Sequence, residues 1–323
     1  MALSMHTNNI KKSNRPVYGR TFRVMGTDVT AEIVLDEFVT PKMAEQHVAE
    51  VENIFRQHET IFSRFDEKSE LTRINSHLNE KVPVSSAMLE VLELCQKFHE
   101  LTEGYFDPRI IGNLERIGYD RDFRSHDLST ETVGLAEPEI IQGNLADDLK
   151  IDKLAGMVLV KKRIDTTGIV KGYTVDQAAE YLRRSEVKNF VVDAGGDMQA
   201  SGRNADGQLW GIGIEGLAGD AVALKLQDEG IATSGISRKR WTVGNQKVHH
   251  LINPKDPGSF SHNLKTVTVI AEKTVEADGR AKALFLMGKE NGLKFAEAND
   301  IKGLFLDYQN NVYVSQSIKE NMV

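Results

Sequence analysis

The chain has 323 residues, 40% hydrophobic and 27% charged, with a formal net charge of −7 and a pI near 5.8. An acidic chain with no basic stripe is excluded as a general nucleic-acid coat, since nothing in it displaces counterions from phosphate; the short basic patches at 161–163, 183–184 and 238–240 read as solvated faces. One cysteine, Cys95, excludes an intrachain disulfide and a cysteine zinc cluster, and no run approaches the ~18 apolar residues of a transmembrane helix.

Residues 1–20 are polar and basic without an apolar h-region. They read as a disordered tail and not as a signal peptide, which makes a cytoplasmic protein the simplest expectation; an exported protein with its signal trimmed is the alternative. Thr21 to Leu35 alternates in β-branched residues and breaks at Met25-Gly26-Thr27, predicting two strand segments around a close-packed glycine. Thr40-Pro41 opens a helix with Ala44, Val48, Val51 and Phe55 on one face. Ser69 caps a short helix through Ile74. Ser85 caps a longer one through Leu101, with Leu89, Leu92, Cys95 and Phe98 on its apolar side and Gly104 as its stop, so that Cys95 reads as a buried thiol.

Residues 112–148 mix glycine, charge and short apolar pieces and read as a loop-rich surface insertion. Leu149 to Ile164 predicts two or three short strands, and Gly168 to Arg184 a helix. Strands follow at Phe190–Asp193, Met198–Gly202, Leu209–Ile214, Ala221–Leu226 and Thr266–Ala271. Thr274 caps a helix to about Met287 with Gly288 behind it. A helix over Glu290–Asn299 and a hairpin around Gln309-Asn310-Asn311 close the chain. Strands and helices mix without regular alternation, which argues for an α+β fold and against a doubly wound parallel sheet.

Three segments can carry chemistry. In Asp165-Thr166-Thr167-Gly168, a carboxylate at a strand end meets a small-residue turn and a helix start, where backbone N–H groups suit an anionic ligand. Lys171 on that helix meets a phosphate or pairs with Asp165, and a surface ion pair is the plainer reading. In His249-His250-Leu251-Ile252-Asn253-Pro254, a strand end aims a histidine at a cleft, as a general base or as a structural side chain. In Ala277-Asp278-Gly279-Arg280-Ala281-Lys282, Asp278 and Lys282 share a helix face, as a magnesium site or as an i,i+4 ion pair. Gly195-Gly196-Asp197 and Thr233-Ser234-Gly235 read as turns.

Taken in order, these segments resemble the ApbE family of FAD:protein FMN transferases. The likeness spans Thr21 to about Val314. It is carried by Met25-Gly26-Thr27, Phe62-Ser63-Arg64-Phe65, Ser69-Glu70-Leu71 with Asn75, Gly104-Tyr105-Phe106-Asp107-Pro108, Asp165–Asp176, Gly195-Gly196-Asp197, Ala232-Thr233-Ser234-Gly235, His250–Pro254, and Ala277-Asp278 ahead of Ala283–Gly288. The resemblance implies one large α+β domain over 21–323, with mixed and antiparallel sheets flanked by helices. It implies a magnesium-assisted transferase that splits FAD at the pyrophosphate, attaches FMN through a phosphoester to a threonine of an acceptor flavoprotein, and releases AMP. By position, Met25, Phe65, Gly104, Tyr105, Phe106, Asp165, Lys171 and Leu251 would line the FAD site. The Gly168 carbonyl and the Asp278 carboxylate would bind Mg2+, with His250 and Asp278 catalytic. An FAD pyrophosphatase, and an FAD-binding protein with impaired catalysis, are the alternatives. No segment here matches the Asp/Ser/Gly/Ala/Thr-rich acceptor motif, so self-modification is not expected.

The chain departs from the family pattern in three places. Lys282 stands where a threonine usually helps to hold the metal, and a protonated ammonium cannot be a ligand. Asn253-Pro254-Lys255-Asp256-Pro257 replaces Asp-Pro-Arg-Thr-Gly, and Asp165-Thr166-Thr167 replaces Asp-Leu-Gly or Asp-Leu-Ser. Three outcomes stay open at this point. Lys282 takes over part of the metal's electrostatic role; Asp256 restores a carboxylate or pairs with Lys282; or Lys282 points away and water completes the site.

Overall fold

The structure is a computed structural model that describes residues 15–120, 136–217, 223–237 and 239–322. In chain order the elements are β1 (Val17–Val24), β2 (Thr27–Val34), α1 (Pro41–Phe62), α2 (Glu70–Ser76), β3 (Lys81–Pro83), α3 (Ser86–Leu101), α4 (Ile111–Arg116), α5 (Leu145–Asp148), β4 (Leu149–Asp152) and β5 (Met157–Val160). There follow α6 (Thr167–Arg184), β6 (Phe190–Ala194), β7 (Asp197–Ser201), β8 (Trp210–Gly213), β9 (Ala223–Leu226), β10 (Glu229–Gly235), β11 (Arg240–Val243), β12 (Gln246–His249), β13 (Leu264–Ala271), α7 (Thr274–Ala298), β14 (Lys302–Asp307) and β15 (Val312–Val314).

An eight-stranded sheet in the order β1-β2-β6-β7-β10-β13-β14-β15 forms the backbone of the molecule, and every pairing in it is antiparallel. The strand period of two sorts its residues. On β2, Val29, Ala31 and Ile33 pack against Ala44, Val48 and Phe55 of α1 and Val175 and Ala178 of α6. On the opposite face Val34, Val191 and Ile231 meet Trp210, Leu224 and Leu226 of the β8–β9 hairpin. Further along, Val267 and Val269 of β13 pack on Ala277, Ala281 and Leu284 of α7. A second layer joins α2, α3 and the small sheet β3-β5-β4 to the start of α6 around Phe62, Leu92, Phe98 and Val160. This is the expected α+β architecture of antiparallel sheets flanked by helices.

Helices α6 and α7 matter most for the site. Gly172 lets them touch: a Cβ there would lie 2.8 Å from Val275 Cα and 2.9 Å from the Thr274 carbonyl. Asp176 of α6 accepts hydrogen bonds from the backbone N–H groups of Thr274 (2.8 Å) and Val275 (2.9 Å), so one helix caps the other.

Several boundaries differ from the sequence reading. The first strand begins at Val17, inside the segment read as a tail, because β2 offers a full ladder out to Val17↔Val34; residues 1–14 lie outside the described set. Part of the segment read as a loop-rich insertion is helical, as α4 and α5, while 121–135 lie outside the described residues. Thr274 is not a cap: its hydroxyl donates to the Met198 carbonyl at 2.9 Å, and Asp176 satisfies the helix start instead. The two expected C-terminal helices do meet at Gly288, whose φ of 78° and ψ of 173° are non-helical; they run on from each other across that kink, and both are included in α7. Thr233-Ser234-Gly235 is no turn but the end of β10, paired with β13. The β11–β12 hairpin was not anticipated.

Candidate active site

A cleft of about 570 Å³ opens where the β1–β2 and β6–β7 turns, α6, α7 and the residues flanking the β11–β12 hairpin meet, a volume within the range of about 300–1,000 Å³ usual for small-molecule sites. One wall is the β1–β2 turn. Met25 holds a left-handed conformation (φ 50°), and its N–H donates to Glu59 Oε1 at 2.6 Å, which stabilises an arrangement costly for a residue with a side chain. The β6–β7 turn nests against it, since a Cβ on Gly195 would lie 2.2 Å from Thr27 Oγ1.

A second wall is built on Arg64. Its guanidinium carbon lies 4.2 Å from the Phe65 ring centre and 4.5 Å from that of Tyr119, and Nη2 donates to the Tyr119 carbonyl at 2.7 Å. Its Nε lies 3.3 Å from Asp165 Oδ2, and both side chains are buried. Asp165 does not end a strand, because β5 stops at Val160. Its Oδ1 accepts the Thr167 N–H at 2.8 Å, which fixes the start of α6. Phe65 itself stands half-open at the rim.

The 104–106 turn forms the third side. Tyr105 and Phe106 line the cleft, Tyr105 beneath the Lys255 ammonium at 4.2 Å and Phe106 edge-on to Phe98. Gly104 does not line it; the residue sits behind over His99 with φ of 79°, a turn position that needs glycine.

The cationic floor comes from α6 and α7. Lys171 pairs with Asp197 and not with Asp165. Burial, reinforced by Lys282 and Lys239 and opposed by Asp278 and Asp193, pushes its ammonium down to about 8, so it stays charged at neutral pH. Lys282 Nζ donates to Asp278 Oδ1 at 3.2 Å. Its stem runs past Gly168, with Cε 3.3 Å from where a Gly168 Cβ would be.

His250 follows β12 directly, and Leu251 is buried in the same wall. His250 Nδ1 lies 3.3 Å from the Lys239 carbonyl. A carbonyl only accepts, so Nδ1 carries the proton and Nε2 keeps its lone pair. Burial first, then the charges of Lys239 and Lys282, hold the imidazole well below its usual pKa, and it is neutral at pH 7.

The structure thus brings Met25, Phe65, Tyr105, Phe106, Asp165, Gly168, Lys171, His250, Leu251, Asp278 and Lys282 to one cleft and leaves Gly104 outside it. Asp256 is exposed and absent from the lining, so it neither supplies a carboxylate there nor pairs with Lys282. Sequence reasoning missed Glu59, Tyr119 and Lys239, and it named Asp197 only as part of a turn, without its pairing to Lys171. Tyr119 sits in the stretch read as insertion, and Lys239 in a basic patch read as a solvated face.

For magnesium the residues fit poorly. Asp278 Oδ2 is buried and makes no hydrogen bond, as a metal ligand would, but Oδ1 already holds an ammonium. Among the described residues no group of three or more His, Cys, Asp or Glu side chains is placed to hold a metal ion.

Comparison with known proteins gives the family. FAD:protein FMN transferases from Haemophilus influenzae and Vibrio cholerae are 27% and 29% identical over 91% and 80% of this chain, covering 88% and 78% of their own lengths. The flavinyl transferase ApbE of Pseudomonas stutzeri, solved in its apo form, superposes with a TM-score of 0.78 at 25% identity, over 96% of this chain and 99% of that one. The ApbE protein of Thermotoga maritima gives 0.81 at 25% identity, over 95% and 99%. The ApbE family matches residues 25–305, and the chain belongs to that family.

Proposed function

We propose that this chain is an FAD:protein FMN transferase, and the observation that carries the reading is a neutral, oriented His250 in one cleft with the ammonium groups of Lys171, Lys239 and Lys282. FAD is the first substrate, and a threonine of an acceptor flavoprotein is the second. His250 Nε2 takes the proton of the threonine hydroxyl. The threonine oxygen bonds to the flavin-side phosphorus as the bond from that phosphorus to the bridging oxygen breaks. AMP leaves with that oxygen and its electron pair, and the product is a phosphoester of FMN. Charge builds on phosphate oxygens throughout, and lysines held in place before substrate arrives stabilise it without reorganising. Met25, Phe65, Tyr105, Phe106 and Leu251 give the flavin an apolar and aromatic surface. Asp165 positions the wall by holding Arg64.

The resemblance also implies magnesium. An Asp278 paired with Lys282 does not fit it, and no step above passes through a metal. Cytoplasmic placement remains part of the proposal; among the described residues no helix is long and apolar enough to cross a membrane.

The test incubates the chain with FAD and a domain carrying a flavinylation threonine. AMP release with an acceptor mass gain equal to FMN is expected. AMP and free FMN without acceptor modification would instead make the chain an FAD pyrophosphatase. Bound FAD with no AMP would make it a flavin binder.

A further inference from the structure

Lys282 leaves α7 one turn after Asp278 and lies across the mouth of the α6 start. Its Nζ is 3.2 Å from Asp278 Oδ1, and its Cδ and Cε pass 3.6 and 3.3 Å from the Cβ position of Gly168. A side chain of the protein therefore holds the Asp278 carboxylate and runs beside Gly168, the two residues to which the resemblance assigns the metal. That side chain is 19% exposed, with its charged end at the lining of the cleft. Its field reaches the rest of the site, lowering the pKa of both Lys171 and His250. An ammonium has three donors and no acceptor. Asp278 takes one, and two remain for phosphate oxygens.

We propose that Lys282 is the resident cation of this cleft, holding Asp278 and facing the pyrophosphate where the resemblance places a divalent ion, so that the chain transfers FMN without bound metal. This rests on the transferase reading for its chemistry, though not for its ion-binding half. Lys282 forms no covalent bond and gives up no proton in the step. It compensates the charge that gathers on the leaving phosphate of AMP, and Lys171 and Lys239 share that load.

Manganese, a paramagnetic substitute for magnesium, is titrated into the flavin-free chain, with free ion read by electron paramagnetic resonance. Wild type is expected to take up no stoichiometric ion, while Lys282→Thr takes up one per chain. Lys282→Met, which removes the charge at similar length, serves with circular dichroism as the folding control. In a second arm AMP release is followed in EDTA. Wild type is expected to keep its rate, whereas Lys282→Thr loses about tenfold or more and recovers with magnesium. One bound manganese per wild-type chain would overturn the proposal. So would EDTA-sensitive, magnesium-restored AMP release by wild type, or failure of Lys282→Thr to bind the ion. AMP release by neither protein under any condition would remove the transferase reading, and the manganese titration would still decide the role of Lys282.

Discussion

His250 Nδ1 faces the Lys239 carbonyl at 3.3 Å, and that single contact leaves Nε2 as the ring nitrogen with a lone pair. Because the bond uses the proton on Nδ1, Nε2 keeps its lone pair and, in the proposed reaction, acts as the base. His250→Gln is expected to lower the transfer rate by about 10²–10⁴-fold, the usual contribution of a general base. Flavin affinity is expected to change little, and fluorescence titration with FAD checks this in the same protein. A rate unchanged from wild type would remove His250 from the chemistry.

The pH profile of kcat/KM follows from two groups. His250 is neutral until well below 6.5, so the acid limb lies in the acidic range and the rate is flat through neutrality. Lys171, at about 8, loses its charge as pH rises through that value, and the proposed mechanism then loses one of its cations. Lys171→Arg is expected to move the alkaline limb upward, because a guanidinium stays protonated there. An alkaline limb that does not move would assign it to another group.

Arg64 and Asp165 form a pair with side chains 3% and 1% exposed. Removing one partner strands the other charge, which typically costs about 3–5 kcal/mol. Arg64→Met is expected to lower the urea midpoint accordingly and to weaken flavin binding, since Phe65 and Tyr119 lose the plane between them. The double variant Arg64→Met/Asp165→Asn is expected to recover part of the stability, as measured by equilibrium unfolding.

Acid is expected to destabilise the fold between pH 6.5 and about 4. Burial lowers the pKa of His58 and His249 to about 4 and that of His250 well below 6.5. Over that window the unfolded chain takes up protons that these folded imidazoles refuse, so each contributes stability that is full above 6.5 and lost as pH falls, about 1.4 kcal/mol per pH unit. Asp176, raised to about 6 chiefly by burial, works in the opposite direction as it protonates between 6 and 3.8. Three histidines outweigh one aspartate. His58→Gln is expected to flatten the fall in denaturation midpoint with pH; an unchanged slope would contradict this assignment.

Helix contact at Gly172 gives a structural prediction. A methyl there meets backbone on the α7 side, and backbone cannot rotate away. Gly172→Ala is expected to cost about 1–3 kcal/mol. It is also expected to reduce FAD affinity, because it displaces Gly168 from Lys282. Thermal unfolding and flavin titration together check both halves.

Much of this arrangement was legible because local rules and tertiary structure agree. Thr40, Ser69 and Ser85 each cap the helix that follows, and the alternation of 21–35 is the β1–β2 hairpin. The rest was hidden where a distant partner overrides the local signal. Thr274 looks like a cap until Asp176, 98 residues earlier, takes the task. Lys171 looks like a partner of Asp165 until Arg64 claims that carboxylate and Asp197 claims the lysine. The position of Lys282 against Gly168 is a consequence of how close α6 and α7 approach, which no periodicity records.

The lining of the cleft runs from Arg23 to Leu286 and draws on both edges of its fold history. Strand β6 pairs with β2, and α7 must dock on α6 before Asp278 and Lys282 face Gly168. The cleft is therefore a product of long-range packing, and a chain that has not docked α7 on α6 lacks the face that carries Asp278 and Lys282. A ligand that binds this assembled cleft and not the unfolded chain would draw the protein by mass action away from unfolding.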